Sequence, residues 1–143
     1  MDYLGIDYGT KRIGLSVGDS VLNFVVPIKA IRVTGKNNTA KKIAEIVKLR
    51  EIHKIIIGYP INMDDTIGTK AKEVDYFVHL LEQYITIPME RMDERLTSEN
   101  VYDLRKRSSK NRQNLRKSGA IDSAAAVLIL QDYFDRHHAN VSD

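Results

Sequence analysis

Residues 53 to 60, HKIIIGYP, constrain the fold more than any other stretch. The apolar run is continuous and too short for a helix. It suits a strand buried on both faces, which requires other elements packed above and below it. The flanking segments have the pattern to supply them. Residues 37 to 52 place Ala40, Ile43, Ala44 and Val47 at the i, i+3, i+4, i+7 spacing of one helical face. A second helix follows the loop INMDDTIG, with Ala71, Val74, Phe77, Val78 and Leu81 inward.

Around this centre, residues 3 to 8 and 12 to 18 read as strands joined by a GTK turn. Residues 23 to 33 read as a third strand, and Pro27 suggests an edge position or a bulge. YITIPMERM, residues 84 to 92, reads as a last strand. Thr97 caps a helix starting near Ser98, residues 108 to 118 read as mobile backbone, and AIDSAAAVLILQDYFDR, residues 120 to 136, forms a closing helix. The order β-β-β-α-β-α-β-α-α predicts an α/β fold. Three antiparallel strands are followed by parallel additions, giving a mixed five-stranded sheet with helices on both faces. At 143 residues, with no internal repeat or dividing linker, a single domain over 1–143 is expected.

No apolar run of about 18 residues occurs, so no membrane partner is expected. Asp2 and Asp7 interrupt the N-terminus, and no basic region precedes it, so it does not read as a signal peptide. The chain has no cysteine, which removes disulfides, thiolate metal sites and cysteine nucleophiles and fits a cytoplasmic location. Seven of the 22 basic residues lie between Arg105 and Lys117: Arg105, Lys106, Arg107, Lys110, Arg112, Arg116 and Lys117, with no acid among them. The remaining 15 face 19 acids, a balance of about −4. Such a segment reads either as a solvated loop or as a phosphate-binding arm on a mildly acidic body.

Three acidic groups sit at element ends. Asp7 closes the first strand, Asp93 and Glu94 follow the last, and Asp122 lies in the first turn of the closing helix. Taken singly, each has an ordinary reading. Asp7 beside Gly9 can serve a turn, Asp93 and Glu94 can pair with Arg95, and Asp122 can complement the helix dipole. If they converge, the carboxylates repel unless cations neutralise them. The four histidines show no helical pair spacing near these acids, so oxygen-only donors favour Mg²⁺ or Mn²⁺ over zinc.

Four motifs, LGIDYGTKRIGLSVGD, IIIGYPINMDDTIGTKA, MDERLTS and GAIDSAAAVLILQDYF, come in an order and spacing that resemble the YqgF-type family. Its members are described as Holliday junction resolvases or pre-16S ribosomal RNA processing nucleases of the ribonuclease H-like superfamily. The resemblance implies a ribonuclease H-like sheet and metal-dependent phosphodiester hydrolysis. By motif position Asp7, the Asp93/Glu94 pair and Asp122 would form the catalytic site. Asp7, Glu94 and Asp122 would hold Mg²⁺ or Mn²⁺, with Glu94 favoured over Asp93: successive strand side chains face opposite sides, so one of the pair faces the site, and glutamate has one more methylene to reach it. Lys11, Arg12 and Arg95 would hold flanking phosphates of a structured RNA or branched DNA partner. One departure is visible: Asp65 stands where the family loop usually has glycine. An RNA-trimming enzyme would act as a monomer, whereas a junction resolvase would need a homodimer. Two other readings stand beside this one. A non-catalytic binding or ribosome-assembly module could keep the fold, and IDYGT also resembles the phosphate hairpin of actin-like ATPases.

Overall fold

The computed structural model describes residues 1–61, 64, 66–93 and 120–141, with side chains of the last helix described over 123–137. The elements are β1 (Asp2–Asp7), β2 (Arg12–Asp19), β3 (Phe24–Arg32), α1 (Lys36–Leu49), β4 (Ile52–Tyr59), α2 (Thr69–Glu82), β5 (Met89–Asp93) and α3 (Ala120–Val141). They build one mixed sheet in the order β3-β2-β1-β4-β5. β1, β2 and β3 pair antiparallel, while β4 joins β1 and β5 joins β4 in parallel. The expected sheet is therefore the observed one. The helix expected from Ser98 and the stretch 108 to 118, expected to be mobile, lie outside the described residues. Among the described residues no helix is long and apolar enough to cross a membrane.

The two faces carry different covers. On one, Leu4, Ile6, Ile13, Leu15, Ile55 and Ile57 pack against Ala40, Ile43 and Val47 of α1 and Val74, Phe77 and Leu81 of α2. On the other, Ile56 and Met92 pack against Ile129, Leu130, Tyr133 and Phe134 of α3. Ile55, Ile56 and Ile57 are all fully buried, because successive side chains enter opposite layers. This is why an uninterrupted apolar run fills the inner strand β4.

Two elements differ from the sequence expectation. The last strand begins at Met89 rather than 84, because the amides of Tyr84 and Ile85 bond to the Leu81 carbonyl and close α2. Ile85 is buried there without being in a strand. α1 stops at Leu49 rather than running to 52, since Glu51 takes a left-handed φ of 52° and turns the chain into β4. Pro27 lies on the sheet edge, and a register shift falls between Ile13 and Leu15, beyond which Leu15 pairs with Ile28. Edge and bulge thus occur together.

α3 lies very close to β1 and β2. The Ser16 hydroxyl donates to the Ala126 carbonyl at 2.7 Å. Ser123 reaches into the bulge, accepting from the Leu15 amide at 3.3 Å and donating to the Ile28 carbonyl at 2.6 Å. Beside this contact, a Cβ on Gly5 would stand 2.9 Å from the Ala126 carbonyl oxygen and 3.0 Å from Leu130 Cβ, and closer still to Ser16 Oγ. Gly5→Ala is expected to destabilise the fold by about 2–3 kcal/mol through overpacking. Urea denaturation of the purified variant measures it, and an unchanged midpoint would show that α3 yields at no cost.

Candidate functional site

The parallel relation of β1, β4 and β5 places their C-terminal ends at one edge of the sheet. α3 runs the other way. Ser123 contacts β2 at Leu15, which pairs with Ile6, whereas Phe134 packs 5.5 Å from Tyr3 near the start of β1. The first turn of α3, and with it position 122, therefore lies at the edge where β1 ends in Asp7. The topology brings the Asp7 and Asp93 positions and residue 122 to this common edge. The side chain of Asp122 and all of Glu94 and Arg95 lie outside the described residues, as do Arg105, Lys106, Arg107, Lys110, Arg112, Arg116, Lys117 and Asp65.

Asp7 is half-buried and pairs in register with Gly14 of β2. By alternation it shares the α3 side of the sheet with Gly5, whose neighbours are Ser16 and α3. Asp93 has the opposite parity. It pairs with Tyr59, and two residues earlier Arg91 reaches α2, while the intervening Met92 is buried beneath α3. Strand alternation thus sets Asp93 on the α2 side, away from Asp7. Among the described residues no group of three His, Cys, Asp or Glu side chains is placed to hold a metal ion.

Asp7 lines a cavity of about 190 Å³. The floor is Gly58 and the turn Tyr8, Gly9 and Thr10; the wall is Pro60 with Lys70, Glu73 and Val74 of α2. Gly9 is needed where it stands, because a Cβ there would collide with the Arg12 carbonyl oxygen. Tyr8 packs on Phe77 with ring centroids 4.9 Å apart. Its hydroxyl pKa is raised, first by burial and then by the Glu73 charge. The Asp7 carboxylate offers oxygen donors, which fit a hard divalent cation, while Glu73 borders the same cavity from α2. Lys11 and Arg12 sit exposed on the same β1–β2 turn, where the Lys11 carbonyl accepts from Val33 at 2.8 Å.

The α2 wall is fastened to the sheet by a network that sequence reasoning missed. Tyr59 donates to Asp75 Oδ2 at 2.8 Å, and Arg91 Nε donates to Asp75 Oδ1 at 2.8 Å. The Arg91 guanidinium also lies 5.7 Å from the Tyr59 ring. One carboxylate on α2 therefore joins β4 to β5. The available signal was Asp75 beside the inward Val74, a polar residue on the flank of an apolar stripe. Lys70 and Glu73 were missed as well. In sequence they are two more charges on a helix that carries many.

A mixed sheet with this strand order, helices on both faces and a carboxylate at the end of its first strand defines a ribonuclease H-like α/β fold. Solved structures share it. Thermus thermophilus RuvC in complex with Holliday junction substrate has a TM-score of 0.60 at 11% identity, covering 97% of this chain and 96% of that one. The fowlpox virus Holliday junction resolvase has a TM-score of 0.55 at 13% identity, covering 95% of this chain and 99% of that one. The family model "RuvX: Holliday junction resolvase" matches residues 1–136, and the chain belongs to that family. A protein of Opitutus terrae named "Putative pre-16S rRNA nuclease" is 40% identical over 138 residues, 95% of this chain and 92% of its own. One of the same name from Syntrophus aciditrophicus is 38% identical over 136 residues, 94% of this chain and 89% of its own.

Burial, followed by the Asp75 hydrogen bond, raises the Tyr59 pKa. A raised value means that the unfolded chain loses this proton first. The contribution is therefore complete below the ordinary tyrosine pKa of about 10 and fades as pH rises through the folded value. Tyr59→Phe is expected to cost about 1 kcal/mol at neutral pH through the lost hydrogen bond. It should also make the fall in stability above pH of about 10 shallower. Chemical denaturation between neutral and alkaline pH checks both, and an unaltered alkaline slope would remove Tyr59 from the linkage.

Proposed function

We propose that this protein is a metal-dependent endonuclease that hydrolyses phosphodiester bonds in structured nucleic acid, with precursor 16S ribosomal RNA as its substrate. The observation that carries this reading is Asp7, half-buried at the end of β1 and open to a cavity at the edge where β5 ends and α3 begins. Family membership and the names of the 40% and 38% identical relatives support the nuclease activity and favour RNA. The family model's description supports a second substrate, the four-way DNA junction.

In this reading Asp7, Glu94 and Asp122 hold Mg²⁺ or Mn²⁺. The parity of Asp93, which faces the α2 side, supports Glu94 rather than Asp93 as the ligand. The bound cation would supply activation of water and stabilisation of the leaving oxygen. The protein's residues do the rest. Asp7 fixes the reacting position, and the tight Gly9 turn presents Lys11 and Arg12 beside it. Arg95 and the basic residues from Arg105 to Lys117 bind flanking phosphates. A purely binding module would gain nothing from a carboxylate facing a phosphate path.

The test is cleavage of a precursor 16S rRNA fragment and a four-way junction by wild type and Asp7→Asn, with Mg²⁺ present. Asn keeps the shape and loses the charge, so cleavage should fall by about 100-fold or more, together with any stabilisation by Mg²⁺ in thermal unfolding. Full activity in the variant would remove Asp7 from the chemistry. Wild-type binding without cleavage of either substrate would favour the non-catalytic module.

The basic segment makes a separate prediction. Replacing Arg112, Arg116 and Lys117 by alanine should weaken binding alike across sequences. It should also flatten log affinity against log salt by about one unit per lost phosphate contact. An unchanged slope in a filter-binding series would place these side chains away from the substrate.

A further inference from the structure

The cavity at Asp7 presents an electrostatic problem that the acids alone leave unsolved. Asp7 and Glu73 both line it, and a phosphodiester entering it brings another negative charge. A hard cation held at Asp7 answers part of this. The nonbridging oxygens of the phosphate gain charge as water adds to phosphorus, before that charge passes to the departing oxygen, and they require positive charge already in place.

Among the described residues lining the cavity, Lys70 is the one cation. It is the second residue of α2, whose first turn stands at the strand-end edge of the sheet because the preceding β4 ends there. Helical side chains tilt toward the N-terminus of their helix, so a first-turn lysine leans toward that edge rather than along the body of α2. Its ammonium makes no hydrogen bond or ion pair among the described residues. The nearby cation Arg91 is in contrast committed to Asp75 at 2.8 Å. Lys72, two residues on, is exposed and does not line the cavity. The α2 wall that carries Lys70 is in turn held to β4 and β5 through Asp75.

We infer that Lys70 is a catalytic residue that contacts the nonbridging oxygens of the phosphate cleaved at Asp7. The inference rests on the nuclease reading above. Lys70 transfers no proton and forms no covalent bond; it supplies fixed positive charge where charge grows in the transition state. Its contribution therefore belongs to turnover rather than to ground-state binding. Lys11 and Arg12, exposed on the neighbouring turn, would hold the strand on either side.

The experiment compares wild type, Lys70→Ala, Lys70→Arg, Lys72→Ala and Asp7→Asn on a precursor 16S rRNA fragment and on a four-way junction, with saturating Mg²⁺. Lys70→Ala should lower kcat by about 100-fold with KM nearly unchanged, and Lys70→Arg should recover about tenfold of that loss by restoring charge. Lys72→Ala should stay within about twofold of wild type, as expected for an exposed lysine outside the cavity. Thermal unfolding should leave all three lysine variants as stable as wild type, since Lys70 and Lys72 are exposed. A Lys70→Ala enzyme indistinguishable from Lys72→Ala would overturn the assignment. So would a loss confined to KM with a salt slope reduced by about one, because that is the signature of a flanking phosphate contact. If wild type and Asp7→Asn are equally inert on both substrates, the nuclease reading fails and the Lys70 assignment falls with it. If wild type cleaves and only the Lys70 prediction fails, the nuclease reading stands.

Discussion

The contact between α3 and the antiparallel half of the sheet is the constraint on which the rest depends. A long helix can lie this close to β1 and β2 only because the residues between them are small: Gly5 and Ser16 on the strands, Ser123 and Ala126 on the helix. Close approach also means that backbone polar groups must be satisfied across the interface. Ser16 donates to the Ala126 carbonyl, and Ser123 serves both the Leu15 amide and the Ile28 carbonyl at the bulge. These hydroxyls fix the helix along its axis, not merely against the sheet. An apolar contact of the same area would leave the helix free to slide.

Axial placement matters for the proposed site, whose members stand at element ends. Position 122 precedes the locking residue Ser123 by one step, so whatever fixes Ser123 fixes where the first turn of α3 falls relative to Asp7. On the other face α2 is held by a different device, the Asp75 link to Tyr59 and Arg91. Among the described residues the cavity is walled by α2, with residues of β1 and β4 as its floor. In the proposed reading, charge placed in advance needs no rearrangement when substrate binds.

Much of the fold was legible in the chain because periodicity records burial. Ile55, Ile56 and Ile57 announce a strand covered on both faces, and the apolar faces predicted for α1 and α2 are the buried ones. Pro27 marked its edge. What periodicity cannot record is where buried apolar residues belong to a turn rather than an element. Ile85 is apolar and buried, yet it ends α2 instead of starting β5. Asp7 stood out in sequence because an acid directly after an apolar strand must find compensation. Lys70, Glu73 and Asp75 did not, because a charge on an amphipathic helix is ordinary until the tertiary structure shows what it faces. Ser123 was equally silent: one hydroxyl in IDSAAA reads as a small helix residue until the bulge opposite it is seen.

The charge distribution along the chain makes physical sense once the cavity is placed. A cavity lined by Asp7 and Glu73, in a chain that is acidic outside one segment, repels a polyanion at long range. Attraction must come from elsewhere, and the seven basic residues between Arg105 and Lys117 are the concentrated source of it in the sequence. Long-range attraction and local stabilisation then make opposite demands. The first needs many exposed cations and weakens with salt. The second needs few cations, fixed close to the reacting phosphate, and is screened far less. In the proposed reading, separating the two lets the distributed basic residues set affinity, while Asp7, a divalent cation and Lys70 would act on the one phosphate that changes.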